Sequence, residues 1–77
     1  MEDNVLILDN GEPLFIKQVE RKSKTLYKIS GTLSDNTPAW ALVSFPVWTI
    51  RGKHITLQRL LETHYKILEL HISHMQQ

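Results

Sequence analysis

The sequence predicts an α+β fold, in which a small antiparallel β-sheet of three to five strands is followed by one long C-terminal amphipathic helix packed on it. Two observations predict this class. Short β-forming runs separated by turn residues occupy about residues 5–51, and apolar residues recur at helical spacing over about 56–74. A length of 77 residues allows one domain, residues 1–77, with no room for a second.

Three strands are predicted in the first thirty residues. Residues 5–8 are a short apolar run that ends at Asp-Asn-Gly (9–11), and Asn and Gly tolerate the positive φ that tight turns require. Residues 14–19 and 25–30 are rich in β-forming side chains and flank a polar break. We therefore expect these two runs to form a hairpin with a basic tip.

Two more predicted strands follow a polar loop. Residues 40–45 are apolar apart from Ser44, as expected of a buried strand. Pro46 interrupts this run because it has no backbone N–H to donate to a neighbouring strand. Residues 47–51 are expected to continue as a strand up to Gly52. The strand region is thus predicted to end at about residue 51.

A helix is predicted over about residues 56–74. Thr56 suits the N-cap position because its hydroxyl can accept a hydrogen bond from a free backbone N–H of the first turn. At about 100° per residue, the apolar side chains that follow fall on one stripe. The helix would be about 30 Å long, whereas a typical strand spans about 17–20 Å. Its last turns are therefore expected to pack on something other than the sheet, with a second copy of the chain as the favoured candidate.

The helical stripe predicts both part of the core and a dimer seam. A chain of this size buries a limited fraction of its surface, and self-association is a common compensation. The alternative to a homodimer is a monomer whose helix frays after about Leu70. The predicted core is Ile7, Ile16, Ile29, Leu42, Val43, Ile50, Leu57, Leu61 and Leu68. The predicted dimer seam is Leu61, His64, Leu68, His71 and Ile72.

Composition and motifs argue against catalysis. The chain has no cysteine, which excludes a disulfide scaffold, an iron–sulfur cluster and a thiol nucleophile. Its three glycines form neither a dinucleotide-binding motif nor a phosphate-binding loop, and no serine lies in a Gly-x-Ser-x-Gly elbow. His71 and His74 are spaced to share a metal ion on a helix, but no third ligand accompanies them. We therefore expect no enzyme activity, no cofactor and no metal site.

Charge and hydropathy patterns predict the location of the protein. Nine Lys and Arg residues against eight Asp and Glu residues give a net charge of +1, so the chain is not a polybasic arm. The first residues are acidic, whereas a secretory signal begins with basic residues and a long apolar run. No window approaches the roughly 18 apolar residues of a membrane span. These features predict a cytoplasmic protein with no membrane partner.

The favoured function is non-catalytic binding to another protein, as a small dimeric regulator or inhibitor. Two Trp, two Tyr and two Phe residues are difficult to bury completely in so small a domain. Exposed Trp and Arg side chains contribute most of the binding energy in many protein interfaces. The predicted protein interface is Trp40, Trp48, Arg51 and Leu70. The sequence does not identify the partner.

The alternative function is a small dimeric regulator that binds nucleic acid. Basic side chains near a hairpin tip or a helix start can contact phosphates, and aromatic side chains can stack on bases. The residues available for this role fall into two clusters. The hairpin cluster is Arg21, Lys22, Lys24 and Lys28. The cluster around the predicted helix start is Arg51, Lys53 and Arg59.

Overall fold

The computed structural model describes residues 4–51 and 55–73, and its main feature is one antiparallel sheet. The strands lie in sequential order: β1 (Val5–Ile7), β2 (Pro13–Arg21), β3 (Leu26–Thr32), β4 (Pro38–Ser44) and β5 (Lys66–Ile72). Two short helices, α1 (Val47–Ile50) and α2 (Leu57–Leu61), lie between β4 and β5. The predicted fold class is therefore wrong. The molecule is a curled five-stranded sheet, and its described residues form no helix of seven residues or more.

Strands β1 to β4 form where alternating or continuous apolar runs predict them, because turn residues separate those runs. The turn between β1 and β2 contains Gly11 at a φ of 89°, which glycine adopts without steric cost. The backbone N–H of Gly11 donates to the carbonyl of Leu8 at 2.9 Å, and the Asn10 side chain accepts from the N–H of Glu12 at 2.9 Å. These local bonds fix the first hairpin.

The predicted strand over residues 47–51 is wrong, because residues 47–50 form α1 instead. Pro46 precedes the helix with φ −60° and ψ 141°, and its carbonyl accepts from the N–H of Thr49 at 2.9 Å. A proline cannot donate to a strand ladder but readily precedes a helix, since its φ is already fixed near the helical value. Pro46 therefore marks the end of strand β4 and the start of a helical turn.

The predicted helix over residues 56–74 is also wrong. Thr56 does cap a helix, and its hydroxyl oxygen accepts from the N–H of Arg59 at 3.2 Å, but that helix ends at Leu61. From Lys66 onward the chain pairs with β4 as β5. From Leu68 to Ile72 apolar and polar side chains alternate, which is the period of a strand. Pairing with β4 satisfies the backbone groups of both strands that face each other, whereas a helix here would leave those of β4 open.

The core lies on the inner face of the curled sheet, which α2 covers with Leu60. Ile29 and Val43 are fully buried, as predicted. Four predicted core residues pack partly buried against it: Ile16, Ile50, Leu57 and Leu61. Leu42 is opposite Lys28 in the register and lies on the outer face. The prediction is wrong for Ile7 and Leu68, each of which is 52% exposed.

Candidate binding surface

A backbone hydrogen bond positions α1 beside the tip of the β2–β3 hairpin. The N–H of Phe45, two residues before the helix, donates to the carbonyl of Thr25 in that tip at 2.9 Å. The Phe45 ring is buried and meets Tyr27 edge-on at 5.6 Å and Tyr65 at 6.0 Å. Because Phe45 is fixed in the core by these rings, the helix that follows it is held against the hairpin.

Helix α1 exposes two large apolar side chains. Trp48 is 67% exposed and Val47 is 56% exposed. Trp48 has the highest exposure of any large apolar side chain among the described residues. Partner proteins commonly bury an exposed indole of this kind, because Trp side chains contribute strongly to binding at interfaces.

A cavity of about 310 Å³ is lined by residues of both α1 and the hairpin tip, and we call it the α1 cavity. Its described lining consists of three basic and two aliphatic side chains: Arg21, Lys24, Arg51, Val47 and Ile50. None of the three cations forms an ion pair with a described residue, since the ion pair found there joins Lys22 to Glu20. The cavity therefore combines two aliphatic side chains with three cations that no described acidic residue neutralises.

Arg21 is held in place at this rim by its neighbours. Its Nε donates to the carbonyl of Ser23 at 3.1 Å, and its guanidinium carbon lies 6.0 Å from the centre of the Tyr27 ring. The tip itself is closed by the N–H groups of Lys22 and Ser23, which both donate to the carbonyl of Leu26 at 2.8 and 3.2 Å. A guanidinium oriented in this way loses less conformational freedom when it binds a carboxylate or a phosphate.

The structure brings together part of each predicted basic cluster and separates the rest. Arg21 and Lys24 meet Arg51 at the α1 cavity. Lys22 is paired with Glu20 at 3.0 Å, and Lys28 lies on the outer face, 4.7 Å from the ring centre of Trp40. Arg59 lies on α2, exposed and outside the cavity lining, and Lys53 lies outside the described residues. Three of the predicted phosphate-binding residues thus share one site.

The predicted protein interface is divided in a similar way. Trp48 and Arg51 lie together at α1, whereas Trp40 is partly buried on β4 and stacks on His71 with ring centres 5.5 Å apart. Leu70 lies on the neighbouring strand β5, opposite Ala41, and is 38% exposed. Of the four predicted interface residues, only Trp48 and Arg51 therefore lie at α1.

The predicted dimer seam does not exist as a helical stripe. Leu61 lies on α2 and is partly buried, and His64 is exposed in the loop before β5. The other three members, Leu68, His71 and Ile72, lie along β5. His71 is exposed, so neither described histidine of the seam lies in an apolar interior.

Two residues of the α1 cavity, Val47 and Ile50, are absent from the predicted sites. The signal that could have identified them is Pro46, because proline commonly stands at helix starts. If residues 47–51 are helical, Val47, Ile50 and Arg51 are spaced at i, i+3 and i+4 and share one face. The same stretch interpreted as a strand places Val47 and Ile50 on opposite faces.

Three further observations bear on function. The described residues contain no cluster of three or more histidine, cysteine or acidic side chains placed to hold a metal ion. No helix among them has the length and apolar character needed to span a membrane. Comparison with protein-family models, curated proteins and solved structures finds no significant match.

Proposed function

We propose that this chain is a non-catalytic binding module that recognises an acidic segment of a partner protein through the α1 surface. We define that surface as Val47, Trp48 and the α1 cavity. One observation carries the proposal: three cations without ion-pair partners among the described residues surround a cavity beside an indole that is 67% exposed. Binding an acidic segment would compensate the cations and bury the indole together.

The proposal rests on the different contributions that apolar and charged side chains make to binding at protein interfaces. Buried Trp and Arg side chains supply most of the affinity, and complementary charge supplies specificity and speed of association. Trp48 offers the apolar anchor, while Arg21 and Arg51 offer planar groups that bind carboxylates with two parallel hydrogen bonds. The lining of cations and aliphatic groups suits holding a carboxylate rather than making or breaking a bond.

A role as a regulator or inhibitor follows from the same surface. A chain of 77 residues that covers an acidic patch of a larger protein would block access to that patch. The absence of cysteine is consistent with a reducing compartment, so we place this activity in the cytoplasm.

Affinity capture from native lysate treated with nuclease tests this function. We expect wild type to retain one protein in stoichiometric amount. Trp48→Ala and Arg21→Glu should each lose it, since they remove the anchor and reverse one charge of the cavity. Phe15→Ala and Lys17→Glu are the matched controls, because both change exposed positions on β2 outside the α1 cavity. Capture that is equal for all five proteins would refute the proposal.

Nucleic acid is the second candidate ligand, and the same three cations favour it. Phosphate groups would compensate Arg21, Lys24 and Arg51 as well as carboxylates do. A single-stranded oligonucleotide titrated at increasing salt would then show a log–log slope of about −2 for three phosphate contacts. Lys24→Glu would weaken that binding, whereas Lys17→Glu would not. Binding that is insensitive to Lys24→Glu would exclude the α1 cavity as a nucleic-acid site.

A further inference from the structure

Strand β5 leaves a row of backbone groups open at the edge of the sheet. No described strand pairs with it on the side away from β4. The N–H of Ser73 donates to the carbonyl of Pro38 at 2.9 Å, so Ser73 points its backbone toward β4. Because this direction alternates along an antiparallel strand, the N–H and C=O groups of Ile72 and Leu70 point away from β4. Within residues 4–51 and 55–73, the backbone N–H and C=O groups of these two residues therefore have no partner.

This edge lacks most of the features that prevent an edge strand from pairing with a strand of another molecule. Natural edge strands are commonly very short, bulged, or interrupted by Pro or Lys. The opposite edge, β1, has three residues, whereas β5 has seven, contains no proline, and carries its one lysine at its first position. The irregularity in the β4–β5 register falls before Glu69, so residues 69–72 pair regularly with β4. Leu70 and Ile72, whose backbone groups are open, both lie in this regularly paired part of β5.

The side chains of residues 69–71 in one copy are complementary to the same side chains in a second copy. If two copies of β5 align antiparallel with Leu70 opposite Leu70, each Glu69 lies opposite the His71 of the other copy. Glu69 and His71 both lie on the outer face, opposite Leu42 and Trp40 in the register. The alignment therefore places a carboxylate beside an imidazole N–H twice, and Leu70, which is 38% exposed, against its own copy.

Neighbouring alignments lack this match. A pairing centred on Glu69 puts two carboxylates opposite each other, and one centred on His71 puts two imidazoles there. The first is destabilised because like charges lie directly opposite each other, and the second leaves each Glu69 opposite Ser73 instead of an imidazole. Side-chain chemistry thus selects the register about Leu70, and the open N–H and C=O of Leu70 supply the two central hydrogen bonds.

We infer that β5 is a self-association edge, which pairs antiparallel about Leu70 with the β5 of a second copy of this chain. The two sheets then become one sheet of ten strands. Three residues of the predicted helical seam, Leu68, His71 and Ile72, lie along this edge. The homodimer expected from the sequence would thus form through strand β5 and not through a helix.

Sedimentation equilibrium over a wide range of protein concentration tests this inference. We expect a monomer–dimer equilibrium, which Leu70→Pro abolishes by removing an N–H that faces away from β4. Proline is tolerated at such edge positions. Glu69→Lys should weaken the dimer about tenfold, and the double variant Glu69→Lys with His71→Glu should recover it. Glu62→Lys is the matched control, since Glu62 is exposed and lies beyond α2.

Amide exchange by NMR provides a readout independent of these variants. The amides of Leu70 and Ile72 should exchange fast in dilute protein and slowly in concentrated protein. A chain that stays monomeric at every concentration, or a dimer unaffected by Leu70→Pro and Glu69→Lys, would overturn the inference. The α1 cavity is lined by no residue of β5, so such a result would leave the proposed function standing.

Discussion

Tyr65 joins the two ends of the curled sheet through one side chain. Its hydroxyl donates to the carbonyl of Ile7 in β1 at 2.7 Å, although Tyr65 directly precedes β5. Burial raises the pKa of the Tyr65 hydroxyl above its ordinary value, and the negative charge of Asp9 raises it further. The folded protein therefore holds this proton more tightly than the unfolded chain does.

Replacement of Tyr65 is the first prediction at this scale. Stability due to the raised pKa is fully present below about pH 10 and is lost as pH rises through the folded pKa. Tyr65→Phe should therefore reduce the loss of stability above pH 10. At pH 7 the variant should be less stable by about 1 kcal/mol, because it lacks the hydrogen bond to Ile7. Urea unfolding between pH 7 and 11 measures both effects, and an unchanged alkaline loss in the variant would contradict them.

Helix α2 shows how a five-residue element depends on one buried side chain. A helix this short has little stability of its own, so tertiary packing has to maintain it. Leu60 supplies that packing, since it is the buried residue of α2 and is 2% exposed. Leu57, in the same helix, is only partly buried.

This difference predicts unequal effects of the same substitution within α2. Leu60→Ala should lower the free energy of unfolding by about 2–5 kcal/mol, the range for emptying a core leucine site. Leu57→Ala, which removes the same atoms from a partly exposed site, should cost clearly less. Chemical denaturation of both variants measures the difference. Equal losses would mean that Leu60 does not hold α2 on the sheet.

The elements that the sequence predicts correctly are those whose signals are local. Strands β1 to β4 combine β-forming runs with turn residues such as Asn10 and Gly11, and these act within a few residues. Residues 66–72 carry helical spacing and strand alternation together, so local signals do not separate the two. The edge of β4 decides between them, and that edge exists only once the sheet has formed.

The candidate site was predictable to a similar extent. Arg21, Lys24, Trp48 and Arg51 stand out in the sequence by residue type. Their convergence does not, because it depends on α1 and on the bond from Phe45 to Thr25, which joins residues twenty positions apart. Interpreting Pro46 as a helix start would have supplied α1, but no local pattern supplies its position against the hairpin.

At the scale of the whole molecule, the surface proposed to bind a partner and the edge proposed to form the dimer lie at different places. The α1 surface lies at the tip of the β2–β3 hairpin, whereas β5 is an edge strand of the sheet. Pairing through β5 would give a dimer with two α1 surfaces. Two linked sites can hold a repeated or dimeric partner more tightly than one site does.

Site-specific photo-crosslinking at α1 tests the central claim most directly. A benzophenone amino acid in place of Val47 leaves Trp48 and the three cations intact, and the same group in place of Phe15 is the control on the outer face. After irradiation of intact cells, position 47 should yield one discrete protein adduct that position 15 does not. Adducts with nucleic acid alone, or the same adducts from both positions, would contradict the claim that α1 binds a protein partner.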